Sequence, residues 1–419
     1  MDHDKLNVWY EDCMVGSVYE NEVQKLIFEY SPEWLTSDRK FSLSHSMPLN
    51  TYTPKEKEYA LASHNFFTNL LPEGHSKARI EKELKVSGDF QLLKAIGGEC
   101  AGALSVSEKK PSSCYEYEEI DNDELDELLN TRSLYFKDDK KGRKQRFSLA
   151  GAQDKTVVYY QGDKILLPVD DAPSTHILKY KSHQFRNLPA LETIATWTAK
   201  NLDIPVVDVQ YMEHNDNDFI LVERYDRTFS DHKIKRLHQE DFSQALSIFG
   251  DNKYEQYSGK GFKDCIQLVQ TVSDNVRQDM KKLIQWHVFN FFIGNSDAHM
   301  KNLSFIYHDN TQRSLAPFYD LVPVQAYQGD IDHSLSMYFG GAAHPYEISP
   351  ESLEIISKEC KARPAYIVKI AEQIKNNIMD AFNKAVDEFE DNHRVCFCFD
   401  RVERVIKKNI EHYNNFFFC

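Results

Sequence analysis

The sequence predicts an α+β fold in which strands dominate the first half of the chain and helices the second. Short runs of alternating polar and apolar residues, such as residues 6–10 and 14–19, are typical of half-buried strands joined in a hairpin. Residues 278–293 are apolar on nearly every face, which is typical of a buried helix. With 419 residues, of which 41% are hydrophobic and 12% aromatic, the chain is long enough for two or three domains with well-filled cores.

Residues 1–106 are predicted to form a small α/β subdomain. After the hairpin, a third strand is expected over residues 25–30 and a helix over residues 60–71, which ends before Pro72. The glycine-rich stretch 96–104 is interpreted as a turn that leads into a strand, and no functional site is assigned to it.

Residues 107–146 are predicted to be a polar connecting segment. The segment contains an acidic run over residues 116–127 and a basic run over residues 140–146, and such runs are usually solvated. Leu125, Leu128 and Leu129 have helical spacing, so a short helix is expected within the acidic run.

Residues 148–156 read Ser-Leu-Ala-Gly-Ala-Gln-Asp-Lys-Thr and precede a predicted strand. A turn of small residues brings backbone N–H groups close to a phosphate, so this stretch is a candidate nucleotide loop. An ordinary hairpin turn is the alternative. Residues 148–156 are not a Walker A loop, because Asp154 stands where that motif has glycine and because a strand follows in place of a helix.

Lys179 lies in the predicted strand 175–180 among apolar neighbours. A lysine in such a strand is costly unless its ammonium finds an anion, and a nucleotide phosphate is the natural candidate. A helix is expected from Pro189 onward, with Glu192 in its first turns, where it is a candidate ion-pair partner of Lys179. The alternatives are a solvated lysine and a glutamate that merely stabilises the helix N-terminus.

Two further strands, over residues 206–211 and 219–222, are expected to form a hairpin that runs into the connector 223–227. The order of turn, lysine strand, helix, two strands and connector is that of the smaller lobe of a protein kinase, in which the connector is the hinge. Residues 147–227 are therefore predicted to supply the nucleotide-binding elements and hinge, and residues 228–419 a helical lobe with the catalytic loop.

The stretch after the apolar helix has the spacing D-x-x-x-x-N, with Asp297 and Asn302 separated by four residues. Phosphoryl transfer needs a carboxylate to orient or deprotonate the attacking hydroxyl and a carboxamide to hold a metal. Asp320 follows an apolar-aromatic run and supplies a second metal-directed group. Asp297 is therefore the predicted base, with Asn302 and Asp320 as Mg²⁺ ligands; turn formation is the alternative for the Asp-Asn pair. Gly294 is the expected helix terminator.

The net charge of −15 disfavours unaided nucleic-acid binding, because phosphate contacts require a basic surface. Any DNA association is therefore expected to be indirect. The first residues lack the pattern of a signal peptide and no run is long enough to span a membrane, so the predicted location is cytoplasmic. The eight scattered cysteines are expected to be reduced thiols.

From Val8 to about Leu353, the chain resembles the HipA family of bacterial serine/threonine kinases, the toxins of type II toxin–antitoxin pairs. The most specific matches are residues 148–156, His176-Ile177-Leu178-Lys179, Val222-Glu223-Arg224-Tyr225-Asp226-Arg227, the loop from Asp297 to Asn302, and Tyr319-Asp320-Leu321. The resemblance implies a protein-kinase-like two-lobed core with a small N-terminal α/β subdomain and a mainly helical C-terminal lobe. Asp154 stands where glutamate is frequent in the family, and the tail beyond about residue 385 matches nothing in it.

The resemblance also implies roles for individual residues toward ATP and Mg²⁺. Asp297 is the implied base, and Asn302 and Asp320 are the implied metal ligands. The implied contacts with ATP are the nucleotide loop Ala150, Gly151, Ala152, Gln153, Asp154 and Lys155, the phosphate-binding Lys179, the adenine-facing Glu223, Arg224 and Tyr225, the stretch His299, Met300, Lys301 and Asn302 along the phosphates, and Tyr319 with Asp320. Ser148 is implied as an autophosphorylation site.

The partner implied by the resemblance is a small helix-turn-helix antitoxin of the HipB type, which binds operator DNA and would bring this acidic chain to DNA indirectly. The best-known substrate of the family is glutamyl-tRNA synthetase, whose phosphorylation arrests growth. Two other functions stay open: a small-molecule kinase with the same core, and a catalytically idle subunit retained for repression. The intact set of Asp297, Asn302 and Asp320 counts against the idle subunit.

Overall fold

The computed structural model describes residues 4–49, 56–112, 114–132, 146–151, 153–182, 184–230, 233–309, 311–327, 332–394 and 396–417. Its strands are β1 (Lys5–Tyr10), β2 (Cys13–Glu20), β3 (Leu26–Tyr30), β4 (Glu99–Cys100), β5 (Leu104–Ser107), β6 (Tyr117–Glu119), β7 (Phe147–Ser148), β8 (Lys155–Gln161), β9 (Lys164–Pro168), β10 (His176–Tyr180), β11 (Val209–His214), β12 (Asn217–Glu223), β13 (Arg227–Ser230), β14 (Lys233–Arg236), β15 (Gln239–Asp241), β16 (Ser304–Tyr307) and β17 (Arg313–Leu315).

Its α-helices are α1 (Pro32–Thr36), α2 (Lys57–Thr68), α3 (Gly74–Leu84), α4 (Asp89–Ile96), α5 (Asn122–Thr131), α6 (Leu188–Asn201), α7 (Phe242–Ala245), α8 (Glu255–Ser258), α9 (Phe262–Val272), α10 (Val276–Ile293), α11 (Pro350–Glu359), α12 (Pro364–Asn392) and α13 (Phe399–Phe417). Short 3₁₀ helices cover Gly250–Asn252, Met300–Asn302, Val324–Ala326 and Pro345–Glu347.

The chain divides into two compact units, each assembled from separate stretches of sequence. Unit 1 comprises residues 1–180, 212–251 and 305–313. Unit 2 comprises residues 181–211, 252–304 and 314–419. The predicted boundary at residue 227 does not coincide with this division, because residues beyond it return to unit 1.

Unit 1 begins with an antiparallel sheet in the order β3-β2-β1-β5, which contains the predicted hairpin. Its inward side chains, among them Leu6, Val8 and Phe28, are fully buried. Helix α2 packs on β3, where Ser63 Oγ on the helix accepts a hydrogen bond of 2.7 Å from the Phe28 amide.

A second sheet has the strand order β11-β12-β10-β8-β9-β6 and carries the predicted lysine strand β10 at its centre. Its edge strand β6 pairs with β9, and Leu128 and Leu129 of α5 pack into its core. Both β6 and α5 come from the segment 107–146. This part of the predicted connector is thus an integral part of the sheet, because its apolar residues fill the sheet's core.

Unit 2 is mainly helical, and the second half of α10 is buried, with side chains such as Trp286, Phe289 and Phe292 shielded from solvent. Helices α9, α12 and α13 pack against α10, and α6 packs against α12. The last helix, α13, begins at Phe399.

Cys396 and Cys398 lie in the connection before α13 and form a disulfide, so the expectation of reduced thiols is wrong for this pair. The two residues are brought together by a turn that places their Cα atoms 5.3 Å apart. Cys100 and Cys265 are free and buried, as expected. Within the described ranges, none of the helices has the length and apolar character needed to cross a membrane.

Candidate active site

The catalytic loop starts where α10 ends at Gly294, as predicted. Gly294 has a φ of 81°, a left-handed conformation that glycine adopts readily. The space beside Gly294 is also restricted, because a Cβ added at this residue would lie 2.5 Å from Val405 Cγ1. The next residue, Asn295, donates from its amide to the Asn290 carbonyl (2.9 Å) and from Nδ2 to Asn290 Oδ1 (2.9 Å). The start of the loop is therefore rigidly held.

Asp297 presents its carboxylate outward from this buried loop. Its side chain is 50% exposed, whereas neighbouring Ser296 is buried. Ser336 Oγ donates to Asp297 Oδ1 at 3.4 Å, and His299 Nε2 lies 4.0 Å from Oδ2. A fixed and accessible carboxylate is what a general base needs in order to reach a substrate hydroxyl.

The side chain of Asn302 is hydrogen-bonded to the backbone of Asp297. Asn302 Nδ2 donates to the Asp297 carbonyl at 3.2 Å, and the His299 amide donates to the same carbonyl at 2.9 Å. Because its Nδ2 is directed at Asp297, the carboxamide of Asn302 is oriented within the loop. The D-x-x-x-x-N spacing thus closes a compact loop, with a 3₁₀ helix over its last three residues.

Asp320 has a φ of 55°, which is uncommon for a residue other than glycine. The chain before it is pinned, because Val206 and Phe318 form a parallel bridge, with a bond of 3.0 Å from the Val207 amide to the Phe318 carbonyl. Tyr319 Oη then donates to the Lys301 carbonyl at 2.8 Å and so ties this chain to the catalytic loop. Unusual backbone conformations that the surrounding structure fixes in this way cluster at functional sites.

Asn302 and Asp320, the predicted ligands of Mg²⁺, each carry side-chain oxygen atoms, the donor type that this ion prefers. In the described part of the chain, no group of three or more His, Cys, Asp or Glu side chains has the arrangement of a metal site. Mg²⁺ in phosphoryl-transfer sites is held by one or two carboxylates together with substrate phosphates and water, and not by a full protein cage. The carboxylate of Asp320 and the carboxamide of Asn302 are donor types consistent with that requirement, and their binding of Mg²⁺ stays a prediction.

The predicted nucleotide loop lies in unit 1 and is attached to the end of α2 and the start of α3. Ser148 is fully buried, and its Oγ donates to the Leu70 carbonyl at 2.7 Å. Gly151, with a φ of 104°, forms a bridge with Pro72, and its carbonyl accepts from the Glu73 amide at 3.2 Å. Ala152 lies outside the described residues. The subdomain predicted over residues 1–106 therefore supports the loop directly.

Asp154 anchors the loop by its side chain. Its carboxylate accepts hydrogen bonds from Ser76 Oγ (2.8 Å), Arg79 Nη2 (3.0 Å) and Arg132 Nη1 (3.2 Å). Burial raises the pKa of Asp154, but the bonds from Ser76 and Arg79 outweigh burial and hold the pKa below its ordinary value. Gln153 Nε2 donates to the Tyr180 carbonyl at 3.3 Å. Both predicted loop side chains are thus used to hold the loop in place.

Lys155 and Lys179 lie directly opposite each other on β8 and β10. Residues paired across neighbouring strands share a face of the sheet, and two like charges in that position are unfavourable without an anion. Lys179 is buried, and Lys155 Nζ donates to the Ala150 carbonyl within the loop at 2.7 Å. The role of the two lysines in binding the phosphates of a nucleotide stays a prediction.

Arg224 has a structural role for its side chain, and its predicted contact with adenine stays a prediction. Its guanidinium is buried and bonds Asp226, Glu99 and the Cys100 carbonyl. Its amide donates to the Thr175 carbonyl at 2.9 Å. The arginine is needed here because Glu99 and Asp226 are themselves buried charges. Glu223 is exposed and Tyr225 half-buried, so both stay candidates for the adenine contact.

The remaining predicted residues lie in ordered surroundings. Glu192 is buried in α6, and the pKa of nearby Tyr327 is raised by burial and by the charge of Glu192. The ion pair of Glu192 with Lys179 stays a prediction.

His299 and Lys301 are buried, and the side chain of Met300 is fully buried, which gives Met300 a packing role. Sequence reasoning missed Ser336, because it lies 39 positions beyond Asp297 in a stretch without a recognisable motif.

Known families match two parts of the chain. The HipA N-terminal domain matches residues 6–107, and the HipA-like C-terminal domain matches residues 147–382. Y4mE of Sinorhizobium fredii, a protein named as a kinase, is 33% identical over 84% of this chain and 85% of its own. The serine/threonine-protein kinase toxin HipA of Shewanella oneidensis is 29% identical over 80% of this chain and 79% of its own.

One solved structure extends this likeness to the fold. In the complex of HipA, HipB and operator DNA from Shewanella oneidensis, a matching chain aligns with a TM-score of 0.82. The alignment covers 98% of this chain and 97% of that chain at 24% identity. The predicted α+β, kinase-like fold is thereby confirmed.

The fold and the family-domain matches therefore place the chain among HipA-like proteins. The match to the HipA-like C-terminal domain alone covers more than half of the 419 residues. The chain accordingly belongs to the HipA family, and the two relatives described above are named as kinases.

Proposed function

We propose that the protein is an ATP- and Mg²⁺-dependent serine/threonine protein kinase. The observation that carries the proposal is the hydrogen bond from Asn302 Nδ2 to the Asp297 carbonyl, which fixes a base and a metal-directed carboxamide in one loop. Asp297 takes the proton of a substrate hydroxyl as that oxygen attacks the γ-phosphorus of ATP, and ADP leaves. Lys155 and Lys179 bind the phosphates.

The nucleotide and the metal each have residues suited to them. Asn302 and Asp320 supply the protein oxygens for Mg²⁺, which when bound would neutralise charge on the phosphate oxygens. Glu223 and Tyr225 are the proposed contacts with the adenine. The loop from Ala150 to Lys155 contributes backbone N–H groups to the phosphates, while the Asp154 side chain keeps the loop in place.

The identity of the molecule that receives the phosphate distinguishes a protein kinase from the two alternatives, a small-molecule kinase and a catalytically idle subunit. Purified protein is incubated with γ-labelled ATP and a cell extract, and label is followed in protein bands and in the small-molecule fraction. A protein kinase labels protein. Label only in a soluble metabolite would support a small-molecule kinase, and no label in either fraction would support an idle subunit.

Ser148 is the proposed site of autophosphorylation, and its burial suggests how modification acts. A kinase cannot reach a fully buried hydroxyl bonded to the Leu70 carbonyl, so β7 and the loop after it must first be released. A phosphate group adds about −1.5 to −2 charges, which the closed pocket cannot accommodate without desolvation. Phosphorylation would therefore hold the nucleotide loop away from its site and weaken ATP binding.

Mass spectrometry with nucleotide-binding measurements tests this switch. Wild-type and Asp297→Ala protein are each purified alone, and we expect phosphate at Ser148 only in the wild type. Phosphate at Ser148 in Asp297→Ala would rule out self-modification. Equal ATP affinity in the phosphorylated and phosphate-free forms would rule out the switch.

A small DNA-binding antitoxin of the HipB type is the proposed partner. The solved Shewanella complex contains HipA, HipB and operator DNA, and a net charge of −15 makes direct DNA binding by this chain unfavourable. Co-expression with a neighbouring helix-turn-helix protein should yield a stable complex, restore growth and shift operator DNA. The chain alone should not shift the same DNA. Growth arrest by Asp297→Ala as strong as that by the wild type would contradict a kinase-dependent toxicity.

An aminoacyl-tRNA synthetase such as glutamyl-tRNA synthetase is the proposed substrate class. The family resemblance alone supports this choice. Phosphoproteomics after expression of wild-type or Asp297→Ala protein tests it directly. Phosphorylation of unrelated proteins with synthetases unmodified would contradict it.

A further inference from the structure

Helix α13 lies beyond both family-domain matches, the second of which ends at residue 382. One face of the helix is nevertheless buried against neighbouring elements. Val402, Ile406, Asn409 and Tyr413 recur at intervals of three or four residues, and each is at most 3% exposed. Helix α13 packs with this face against α10, α12 and the 3₁₀ helix Val324–Ala326.

Asn409 is the polar residue in this apolar face, and it contacts the end of α10. Its Nδ2 donates to the Phe291 carbonyl at 2.9 Å and lies 3.5 Å from the Phe292 carbonyl. The last carbonyls of a helix lack the successive N–H partners of the interior and need other donors. The Phe291 carbonyl also accepts from the Gly294 amide at 3.2 Å, so Asn409 adds a second donor and supports the last turn of α10 from another helix.

The point at which the catalytic loop leaves α10 is held from two further sides. Val405, one turn before Asn409, packs so closely on Gly294 that an added Cβ would lie 2.5 Å from Val405 Cγ1. The Gln325 amide donates to the Gly294 carbonyl at 2.9 Å. Only two residues separate Gly294 from Asp297, so a shift of this turn is transmitted directly to the proposed base.

We propose that Asn409 is a positioning residue for the catalytic loop and that α13 is a working part of the phosphotransfer site. The inference rests on the proposed kinase function and adds a requirement for a part of the chain outside the matched family domain. The physical reason is that a misplacement of about 1 Å at a reacting group can cost about 100-fold in rate. Loss of the Asn409 bonds frees the last turn of α10 and lets Asp297 move.

A purely structural role for α13 makes a different prediction. If Asn409 only stabilises the fold, its substitution lowers the melting temperature but leaves the turnover of each folded molecule unchanged. If Asn409 positions the loop, turnover falls in molecules that are fully folded. Affinity for ATP in the absence of Mg²⁺ should change little, because the nucleotide loop and its lysines lie in unit 1.

The experiment compares Asn409→Asp with Asn415→Asp in the full-length protein. The aspartate at 409 has the same size but cannot donate to the two carbonyls, and its charge is unfavourable at the end of α10. Asn415 is an exposed asparagine on the same helix and controls for the charge change. Phosphatase-treated proteins receive γ-labelled ATP, and the rate of self-labelling is measured per folded molecule.

We expect Asn409→Asp to label itself about 10- to 100-fold more slowly at saturating ATP, and its affinity for ATP in EDTA should match that of the wild type. Asn409→Gln, which keeps the carboxamide, should recover part of the rate, and Asn415→Asp should match the wild type. A wild-type rate in folded Asn409→Asp would overturn the proposal. If that variant does not fold, Val405→Ala takes its place, and an unchanged rate there would overturn the proposal equally.

Hydrogen exchange separates this proposal from the proposed kinase function. Amides of residues 294–302 should exchange faster in Asn409→Asp than in Asn415→Asp, and this readout does not depend on phosphate transfer. Faster exchange with no labelling by the wild type would contradict the kinase function but keep the positioning contact. Unchanged exchange with an active wild type would refute only the role of Asn409.

Discussion

Asp226→Asn should destabilise unit 1 far more than a change of one charge at the surface. The Asp226 carboxylate is 3% exposed and accepts from Arg224 Nε (3.0 Å), Arg224 Nη2 (2.8 Å) and the Gly102 amide (2.7 Å). Arg227 Nη1 lies 3.1 Å away. The asparagine keeps the shape but leaves two buried guanidinium groups short of negative charge.

The size of the effect follows from the pKa of Asp226. Burial raises this pKa, but the charges of Arg224 and Arg227 outweigh burial and bring it from 3.8 to about 2. At about 1.4 kcal/mol for each pKa unit, the charged form contributes about 2 kcal/mol. Removal of one partner from a buried ion pair typically costs about 3 to 5 kcal/mol. We therefore expect a loss of about 2 to 5 kcal/mol at pH 7.

The pH dependence has a definite sign. Because the folded pKa lies below the unfolded one, the contribution of Asp226 is fully present above about pH 4 and is lost as the pH falls from 3.8 toward about 2. Urea unfolding of the wild type and of Asp226→Asn at several pH values measures the contribution of Asp226 to the free energy of unfolding. Glu119→Gln is the control, since Glu119 pairs with Lys164 at an exposed edge, where such pairs contribute at most about 1 kcal/mol. A loss below about 1 kcal/mol for Asp226→Asn at pH 7, or a difference that widens below pH 4, would refute this reasoning.

Two further predictions concern the catalytic loop and its metal. Gly294→Ala combines a φ of 81° with a contact of 2.5 Å to Val405, so it should cost about 2 to 4 kcal/mol by urea unfolding. The control Gly259→Ala has a φ of 66° and open space around its Cβ, so it should cost only about 1 to 2 kcal/mol, and equal costs would argue against tight packing at Gly294. Asp320→Asn should weaken ATP binding by calorimetry when Mg²⁺ is present and match the wild type in EDTA; an equal loss in both conditions would assign Asp320 a role other than metal binding.

Local patterns in the sequence predicted the elements that carry the chemistry. The spacing of Asp297 and Asn302 and the terminator Gly294 lie within nine residues, so short-range rules were sufficient for the loop. The apolar run before them predicted α10 equally well, because its last eight residues, Trp286–Ile293, are all buried. The strands β1, β2, β8 and β10 followed from alternation and β-branched residues.

Contacts between distant residues were not predictable from the same rules. The buried ion pair of Arg224 with Glu99 was not predicted, because the two residues lie 125 positions apart in the sequence. A pattern of charges cannot reveal that two of them will meet in a core. Strand β6 was overlooked because it has only three residues within a charged segment. The support of α10 by Asn409 likewise joins residues 118 positions apart.

The most direct test of the central claim compares Asp297→Asn with Asp380→Asn in phosphate transfer from γ-labelled ATP. Asp297 carries the half-exposed carboxylate of the catalytic loop, whereas Asp380 is an exposed carboxylate on α12. Loss of a positioned base should lower the rate of transfer by about 10² to 10⁴-fold, with ATP binding retained. Asp380→Asn should transfer phosphate at the wild-type rate. Full transfer activity in Asp297→Asn would contradict the assignment of the base and, with it, the account of this loop as a kinase active site.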